Sequence, residues 1–394
     1  MKHTKTDLTA CGIIAEYNPF HNGHLYQLQT ARKQSHADVM VALISGNYVE
    51  RGEPAIVDKW QRAQLALRAG ADLVIELPFA DAVEPADRFA TGAVRLLAAL
   101  GCQSLAFGSE EPDADYAQLG QELAALPDLH AAFTDYTQTY ATQLNQYYQE
   151  KLHLNISHAN HLLGLSYATA NARLQQPLQL IAVPRVGSAH DQAGAHDQFA
   201  SASAIRTKLL AGDLAGLAAV VPPSTWQFLQ VHSDWLTWDQ LFPFLKYRIQ
   251  SASLAELRRI YQMSEGLEYR FQQQIGASQT FAAFLKALKT KRYTYARLRR
   301  LCLYTLLNVT TSEMKQAYDQ PYLQVLGFNQ AGQAYLHQIK KTVTVPLVTR
   351  VDAKMGRADG LLGLEVRVDT LIQQLTGVPQ DYGRHPIFKG KELE

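Results

Sequence analysis

The sequence predicts an α/β fold, a mostly parallel sheet covered by helices, followed by a mainly α-helical C-terminal region. Two patterns carry that expectation. Over the first 110 residues, nearly continuous apolar runs alternate with amphipathic stretches, as in strands buried on both faces and joined by helices. From residue 224 to about 318 the pattern is helical throughout, with few Gly or Pro. The composition supports a folded chain. Of 394 residues, 47% are hydrophobic and 19% charged, which excludes a disordered or fibrous protein and allows a sizeable core.

Taken in order, residues 11–15, 38–44, 71–77 and 104–107 read as buried strands, and 178–183 as a further short one. Residues 24–35 read as a helix with Leu25, Leu28 and Ala31 on one face, and 57–69 and 89–100 read as the next two. Residues 111–150 and 162–176 are expected to be helical, and a helix is expected from Ser203 behind a Ser-rich turn. The Val221-Pro222-Pro223 step marks a boundary. Three regions follow: 1–220, an α/β domain; 221–320, a helical domain; and 321–394, a small mixed α/β region. In the last, Leu326-Gly327-Phe328 is expected to turn, residues 332–341 to be helical and 343–351 to be β-rich.

Charge and cysteine content narrow the function. Lys+Arg number 37 against 36 Asp+Glu, a formal charge of +1, so no global field attracts nucleic acid and any RNA contact needs a local patch. Cys11, Cys102 and Cys302 are scattered with no CxxC pair, which speaks against a disulfide framework or thiolate zinc site and fits a reducing cytoplasm. No dedicated metal cage is visible. Neither a membrane span nor a signal peptide is expected, because Glu16 and Asn18 interrupt the first apolar run.

The sharpest chemical signal is Ile14-Ala15-Glu16-Tyr17-Asn18-Pro19-Phe20-His21-Asn22-Gly23-His24, which leaves a strand and opens a helix. Its core is HxGH. Gly23 allows close backbone approach to a phosphate, the helix N-terminus favours an anion, and two imidazoles one turn apart can donate hydrogen bonds as phosphoryl charge builds. A second element is Phe199-Ala200-Ser201-Ala202-Ser203-Ala204-Ile205-Arg206. Ser201 and Ser203 place hydroxyls at a helix start, and Arg206 can pair with a phosphate in bidentate fashion. His21, His24 and Arg206 are the expected catalytic groups.

HxGH after the first strand, with a later SxSx[IV]R, resembles the HIGH-type nucleotidyltransferase superfamily, in which a Rossmann-like sheet holds a nucleotide for attack at its α-phosphate. No KMSKS-like segment is present, which argues against an aminoacyl-tRNA synthetase. Further motifs agree in order: Ser45-Gly46-Asn47-Tyr48-Val49-Glu50-Arg51-Gly52-Glu53-Pro54-Ala55, Ala71-Asp72-Leu73-Val74-Ile75-Glu76-Leu77-Pro78, Phe107-Gly108-Ser109-Glu110, Asn160-His161-Leu162-Leu163-Gly164, Pro184-Arg185-Val186-Gly187 and Glu265-Gly266-Leu267-Glu268-Tyr269-Arg270. With them, most of the chain resembles the bacterial tRNA(Met) cytidine acetate ligases.

That resemblance implies an ATP-dependent enzyme that makes acetyl-AMP from acetate and transfers the acetyl group to N4 of the wobble cytidine of elongator tRNA(Met). It implies that residues 14–27 line the ATP site and that Gly108, Asn160 and Arg185 contact ATP, with Mg²⁺ escorting the phosphates. The sequence departs from the family pattern at His161, where a second Asn is usual, at Glu50 for Gln, at Tyr269 for Asn, and in a lengthened loop carrying His190 and His196.

Residues 286–300 contain seven cations, no acid and two tyrosines, the local footprint of RNA phosphate contact with base or sugar stacking. The bland alternative is a solvated helix with Leu288, Leu298 and Leu301 facing the core. The expected tRNA contacts are Arg270, Lys289, Lys291, Arg292, Tyr293, Tyr295, Arg297 and Arg300. Two other readings remain open at this point: a nucleotidyltransferase acting on a small phosphorylated metabolite, and a non-catalytic RNA-binding protein. The oligomeric state is not legible in the sequence.

Overall fold

A computed structural model of the chain describes residues 7–126, 146, 149–150, 159–185, 198–264 and 266–390. The chain starts in the middle of its main sheet. β1 (Ala10–Ala15) leads through α1 (Asn22–Ser35) to β2 (Val39–Ser45). A small hairpin, β3 (Tyr48–Val49) and β4 (Glu53–Pro54), precedes α2 (Lys59–Arg68) and β5 (Leu73–Leu77). The chain then runs through α3 (Phe79–Ala82) and α4 (Ala86–Ala99) to β6 (Ser104–Ser109), and α5 (Tyr116–Ala124) follows. Helix α6 (Ala159–Ala172) leads into β7 (Gln179–Pro184). The sheet order is β10-β8-β5-β2-β1-β6-β7, where β8 (Leu323–Asn329) and β10 (Ile387–Lys389) come from the far end of the chain and β9 (Leu347–Val348) pairs alongside β8. Only the β5–β8 pair is antiparallel among the described strands of this sheet.

The expected α/β architecture is therefore the observed one, and side-chain alternation explains it. Val39, Val41 and Leu43 of β2 join one core cluster with Phe89, Ala93 and Leu97 of α4. Met40 packs with Leu28 and Ala31 of α1, and Ala42 and Ile44 pack with Ala63 and Leu67 of α2. Successive residues thus feed opposite faces, both covered by helices. Cys11, Cys102 and Cys302 are buried free thiols inside these cores.

Because β2 and β5 extend the sheet on one side of β1 and β6 and β7 on the other, the strand order reverses between β1 and β6. A crevice opens beyond the carboxyl ends of strands at such a switch point. The helix expected after the Ser-rich turn is α7 (Ala202–Leu210), capped by Ser201, whose hydroxyl accepts the Ala204 N–H at 3.2 Å. Short α8 (Leu217–Val220) and α9 (Pro223–Val231) follow, with Pro223 in the first turn of α9, where a missing N–H costs nothing.

The helical region consists of α10 (Trp238–Ser251), α11 (Leu254–Arg258), α12 (Leu267–Ile275), α13 (Phe281–Leu288), α14 (Tyr295–Leu306) and α15 (Thr311–Asp319). Trp238 stacks on Phe281 with ring centroids 3.9 Å apart. Leu288, Leu298 and Leu301 are buried in this core, as the amphipathic reading required. The C-terminal segment adds α16 (Gln330–Ile339) and α17 (Gly363–Thr376). Here one expectation fails. Leu326-Gly327-Phe328 is not a turn but the centre of β8, because Gly327 pairs with Val74 and Phe328 with Leu73 across β5. Of the 343–351 stretch, only Leu347–Val348 becomes a strand.

What draws the C-terminal segment back is a buried charge cluster. Lys59 Nζ, on α2, lies 2.9 Å from Glu76 Oε1 of β5, 2.6 Å from Asp369 Oδ2 of α17 and 3.3 Å from Asp381 Oδ1. The Lys59 and Glu76 side chains have no solvent exposure. Burial alone would push the ammonium down, yet Asp369, Asp381 and Glu76 hold its pKa well above that of an ordinary lysine. Replacing Lys59 with Ala leaves buried carboxylates without their cation. The expected loss is about 3–5 kcal/mol in urea unfolding, whereas a loss under about 1 kcal/mol would show that the carboxyl groups reprotonate at little cost.

Candidate active site

The HxGH loop departs from the end of β1, beside the switch point. Tyr17 takes a left-handed conformation with φ of +50°. Its ring packs 4.6 Å from Phe20 and 4.9 Å from His24, centroid to centroid. Tyr17, Asn18 and Phe20 are buried, so this half of the motif is scaffold. Asn18 Oδ1 accepts the Ile56 N–H at 2.8 Å, and Asn22 Nδ2 donates to Gln198 O and Ala219 O at 3.0 and 2.8 Å. Those bonds tie the loop to the second motif. Ala15, Glu16, His21, Gly23 and His24 keep partial exposure, whereas Ile14 and Pro19 are buried.

The imidazoles do something the sequence did not show. His21 is the N-cap of α1, and its Nδ1 accepts the Gly23 N–H at 3.1 Å. His24 Nδ1 accepts the His21 N–H at 3.3 Å. The two rings stack with centroids 3.7 Å apart. Burial drives the His21 pKa down to about 4, with the Arg185 charge adding to it, and drives His24 well below the usual value, with His21 and Arg185 adding. Both rings are therefore neutral at pH 7. With each Nδ1 accepting, the proton is assigned to Nε2, so both rings remain donors at that nitrogen. Gly23 has a second, local role. A Cβ there would sit 2.9 Å from His21 Cε1, so the glycine makes room for the capping imidazole. The Gly23 N–H is taken by the His21 ring.

The neighbouring strands supply the rest. β6 and β7 pair through Gly108↔Val183 and Ser109↔Pro184, so Gly108 and Arg185 leave the sheet side by side, and a Cβ on Gly108 would lie 3.5 Å from Arg185 Cγ. Arg185 N–H donates to Ser109 O at 3.0 Å, and its guanidinium sits 3.5 Å from the Glu110 carboxylate. Arg206 Nη1 donates to Asn18 O at 2.9 Å, and Nη2 donates to Ser203 Oγ at 3.2 Å. The fold thus brings Arg185 within electrostatic reach of His21 and His24, sets Gly108 beside it and ties Arg206 to the same loop at Asn18, with Ser201 and Ser203 exposed at the start of α7. Asn160 lies in the first turn of α6, but its side chain is outside the described residues, as is the loop with His190 and His196.

A family model for the HIGH nucleotidyl transferases matches residues 8–384. The chain is 59% identical to the tRNA(Met) cytidine acetate ligase of Latilactobacillus sakei over 96% of this chain and 97% of that protein. The chain belongs to the tRNA(Met) cytidine acetate ligase family. It is also 48% identical to the ligase of Lactobacillus gasseri over 96% of this chain and 99% of that one. In structure it resembles Thermotoga maritima TmcAL bound with alpha-thio ATP, at a TM-score of 0.85 and 27% identity, covering 98% and 100% of the two chains.

For this member of the acetate ligase family, the basic segment divides. Arg300 is almost fully buried and bonds Glu50 Oε1 at 3.0 Å and Glu50 O at 3.1 Å. Arg270 donates to Leu288 O at 3.0 Å and to Ala287 O at 2.6 Å, fastening α12 to α13. Tyr293 is buried, with the Arg292 and Arg297 guanidinium groups 5.6 and 4.6 Å from its ring centroid. These three were expected at the RNA face, yet the structure turns them inward, because a helix must bury one side and long cationic stems serve there as packing. Lys291 and Tyr295 are exposed, Lys289, Arg292 and Arg297 partly so, and Lys289 Nζ lies 5.5 Å from the Tyr295 ring centroid.

Sequence reasoning missed Arg62. It is wholly buried on α2 and donates to Glu16 O at 2.7 Å, Ser45 O at 2.9 Å, Val57 O at 3.0 Å and Gly46 O. A cation in the middle of an apolar helix face was the available signal. Among the described residues, one trio has metal-ligand spacing, Glu76, Glu365 and Asp369, and Lys59 Nζ already stands against two of its members.

The neutral histidines make a pH prediction. Folded His21 binds fewer protons than the unfolded chain between its folded pKa of about 4 and 6.5, so its contribution to stability is complete above 6.5 and is lost as pH falls through that window. Imidazole NMR of the labelled protein is expected to show His21 without titration from pH 8 to 5.5. A midpoint near 6.5 would contradict the caged geometry.

Proposed function

We propose that the chain joins acetate to ATP and passes the acetyl group to the N4 amine of the wobble cytidine in elongator tRNA(Met). In the first step an acetate oxygen attacks the α-phosphorus, the bond to the β-phosphate bridge breaks, and pyrophosphate leaves. In the second step the cytidine amine attacks the acyl carbon of acetyl-AMP, the C–O bond to AMP breaks, and the amine loses a proton to solvent.

The observation that carries this reading is the pair of Nδ1-anchored imidazoles with Arg185 and Arg206 at the sheet's switch point. Acetate and triphosphate repel one another, so donors fixed where charge builds are what the first step needs. His21 and His24 hold the α-phosphate oxygens through Nε2–H, and Arg206 steadies the loop while facing the phosphates. Ala15, Glu16, Gly108 and Arg185 line the nucleotide, with Ser201 and Ser203 as further hydroxyl donors and Asn160 nearby on α6. Mg²⁺ accompanying ATP would offset the charge on its phosphates, with no dedicated protein ligands assigned to it.

In this reading residues 1–220 carry the chemistry, 221–320 hold the tRNA, and 321–394 complete the sheet. Lys289, Lys291, Arg292, Tyr295 and Arg297 form the RNA face. No helix among the described residues is long and apolar enough to cross a membrane, and a tRNA substrate places the protein in the cytoplasm.

The test is pyrophosphate release from ATP and acetate, with and without tRNA(Met), followed by nucleoside analysis of the tRNA. Acetate-dependent release with N4-acetylcytidine in the product is the expected result, and release only with a phosphorylated metabolite would overturn it. His21→Ala should slow release by about 100-fold or more while circular dichroism stays native. Full activity in that variant would remove the histidines from the mechanism.

Reversing charge at Lys291, Arg292 and Arg297 together should weaken tRNA binding at least tenfold in filter assays and flatten its salt dependence. Unchanged affinity would move the RNA face elsewhere.

A further inference from the structure

Between the basic helix and the ATP loop lies a four-residue turn, Glu50-Arg51-Gly52-Glu53, and each of its acids faces both ways. Glu50 Oε1 accepts from Arg300 Nη1 at 3.0 Å, and the Glu50 N–H donates to Glu16 Oε1 at 3.1 Å. Glu53 Oε1 pairs with Arg299 Nη1, and Glu53 Oε2 stands 3.9 Å from Arg206 Nη2. Adjacent arginines of α14 therefore reach the two flanks of the loop that carries His21: Arg300 through Glu50, whose backbone N–H meets Glu16 before the loop, and Arg299 through the Glu53 carboxylate, which meets Arg206, whose other nitrogen holds Asn18 O.

The turn is clamped on both sides. Gly52 has φ of +73°, and a Cβ there would lie 2.4 Å from the Arg300 backbone nitrogen, so the turn's main chain rests directly on α14. Trp238 Nε1 of α10 donates to Gly52 O at 2.9 Å. On the other side, Ile56 N–H holds Asn18 Oδ1. The side chains of Arg206, Arg299 and Glu53 are each about three-quarters shielded from solvent, so these charges are screened less than surface pairs.

We propose that Glu53 is a positioning residue that sets Arg206 against the ATP loop and couples tRNA binding on α14 to ATP binding at the histidines. This deepens the proposed function and rests on it. A tRNA phosphate arriving at α14 competes with Glu53 for Arg299. The Glu53 carboxylate then leans fully on Arg206, and Arg206 draws in Asn18 and the loop behind it. By reciprocity, ATP must change tRNA affinity by the same factor as tRNA changes ATP affinity.

The experiment measures both dissociation constants, each with and without the other ligand, for the full chain with a non-hydrolysable ATP analogue and tRNA(Met) transcript. In the native protein the two factors should be equal and at least about fivefold. Glu53→Gln should bring both factors to within twofold of one, and Arg299→Gln should do the same without further effect in the double variant. Arg299→Lys, which keeps the cation, should retain most of the coupling. Thermal melting screens the variants for folding, and Arg299→Gln carries the test where Glu53→Gln does not fold. A native factor near one overturns the proposal, as does a native-like factor in both Gln variants. A variant that binds ATP more weakly but keeps the full factor reduces Glu53 to a local support and overturns the coupling. If the native protein makes no N4-acetylcytidine, the proposed function itself fails, which is a separate result.

Discussion

Two wholly buried cations on α2 hold this molecule in register. Lys59 gathers Glu76, Asp369 and Asp381, which lie far apart in sequence, and Arg62, on the next turn of the same helix, gathers the carbonyls of Glu16, Ser45, Gly46 and Val57. Burying either charge alone would cost several kcal/mol, so each is tolerable only because its partners are all in place. Burial lifts Glu76 to about 8 and Glu365 and Asp369 to about 7, so the carboxyl cluster retains protons near neutral pH instead of ionising fully against one ammonium. The consequence is geometric. Lys59 fixes where the C-terminal segment returns, and Arg62 fixes where the chain leaves β1 and β2. The HxGH loop leaves β1 through the first of those carbonyls, Glu16 O.

The same logic of satisfied polar groups shapes the histidines. A helix start is usually capped by Ser, Thr, Asp or Asn, but here His21 takes the role. Capping costs the ring one nitrogen and fixes the other as a donor. A cationic imidazole would attract phosphate more strongly in the ground state as well as in the transition state. A neutral, oriented N–H contributes most when charge is building on the phosphoryl oxygen, which is where a rate gain arises. In the proposed function the cationic attraction is left to Arg185 and Arg206, each set near a carboxylate, Glu110 at 3.5 Å and Glu53 at 3.9 Å.

Legibility in the sequence followed the range of the interactions. β2 and α4 were readable because their periodicity is local, and HxGH and SxSxxR were readable because each sits at a turn with its own chemistry. Leu326-Gly327-Phe328 misled because a glycine between apolar residues looks like a turn until a partner strand is known, and β5 lies some 250 residues away. Arg300 and Tyr293 misled for a related reason. Cation and tyrosine density marks a basic segment but not which side of α14 faces inward, and Glu50, which claims Arg300, lies in another part of the chain. Arg62 and Lys59 escaped because a buried cation is defined by its acceptors, and none of theirs is nearby in a recognisable pattern.

These distant partnerships share a direction. Asn22 reaches residues 198 and 219, Arg206 reaches Asn18, and Glu50 and Glu53 reach α14, so the ATP loop is braced entirely by segments that follow it in the chain. The 50–53 segment rests on α14 at Gly52, so the bracing of the loop reaches into the helical region as well as to α2 and α7. An isolated 1–220 segment would lack β8, β9 and β10 as well as this contact. The helical region and the HxGH loop are thereby joined through the acids at 50 and 53.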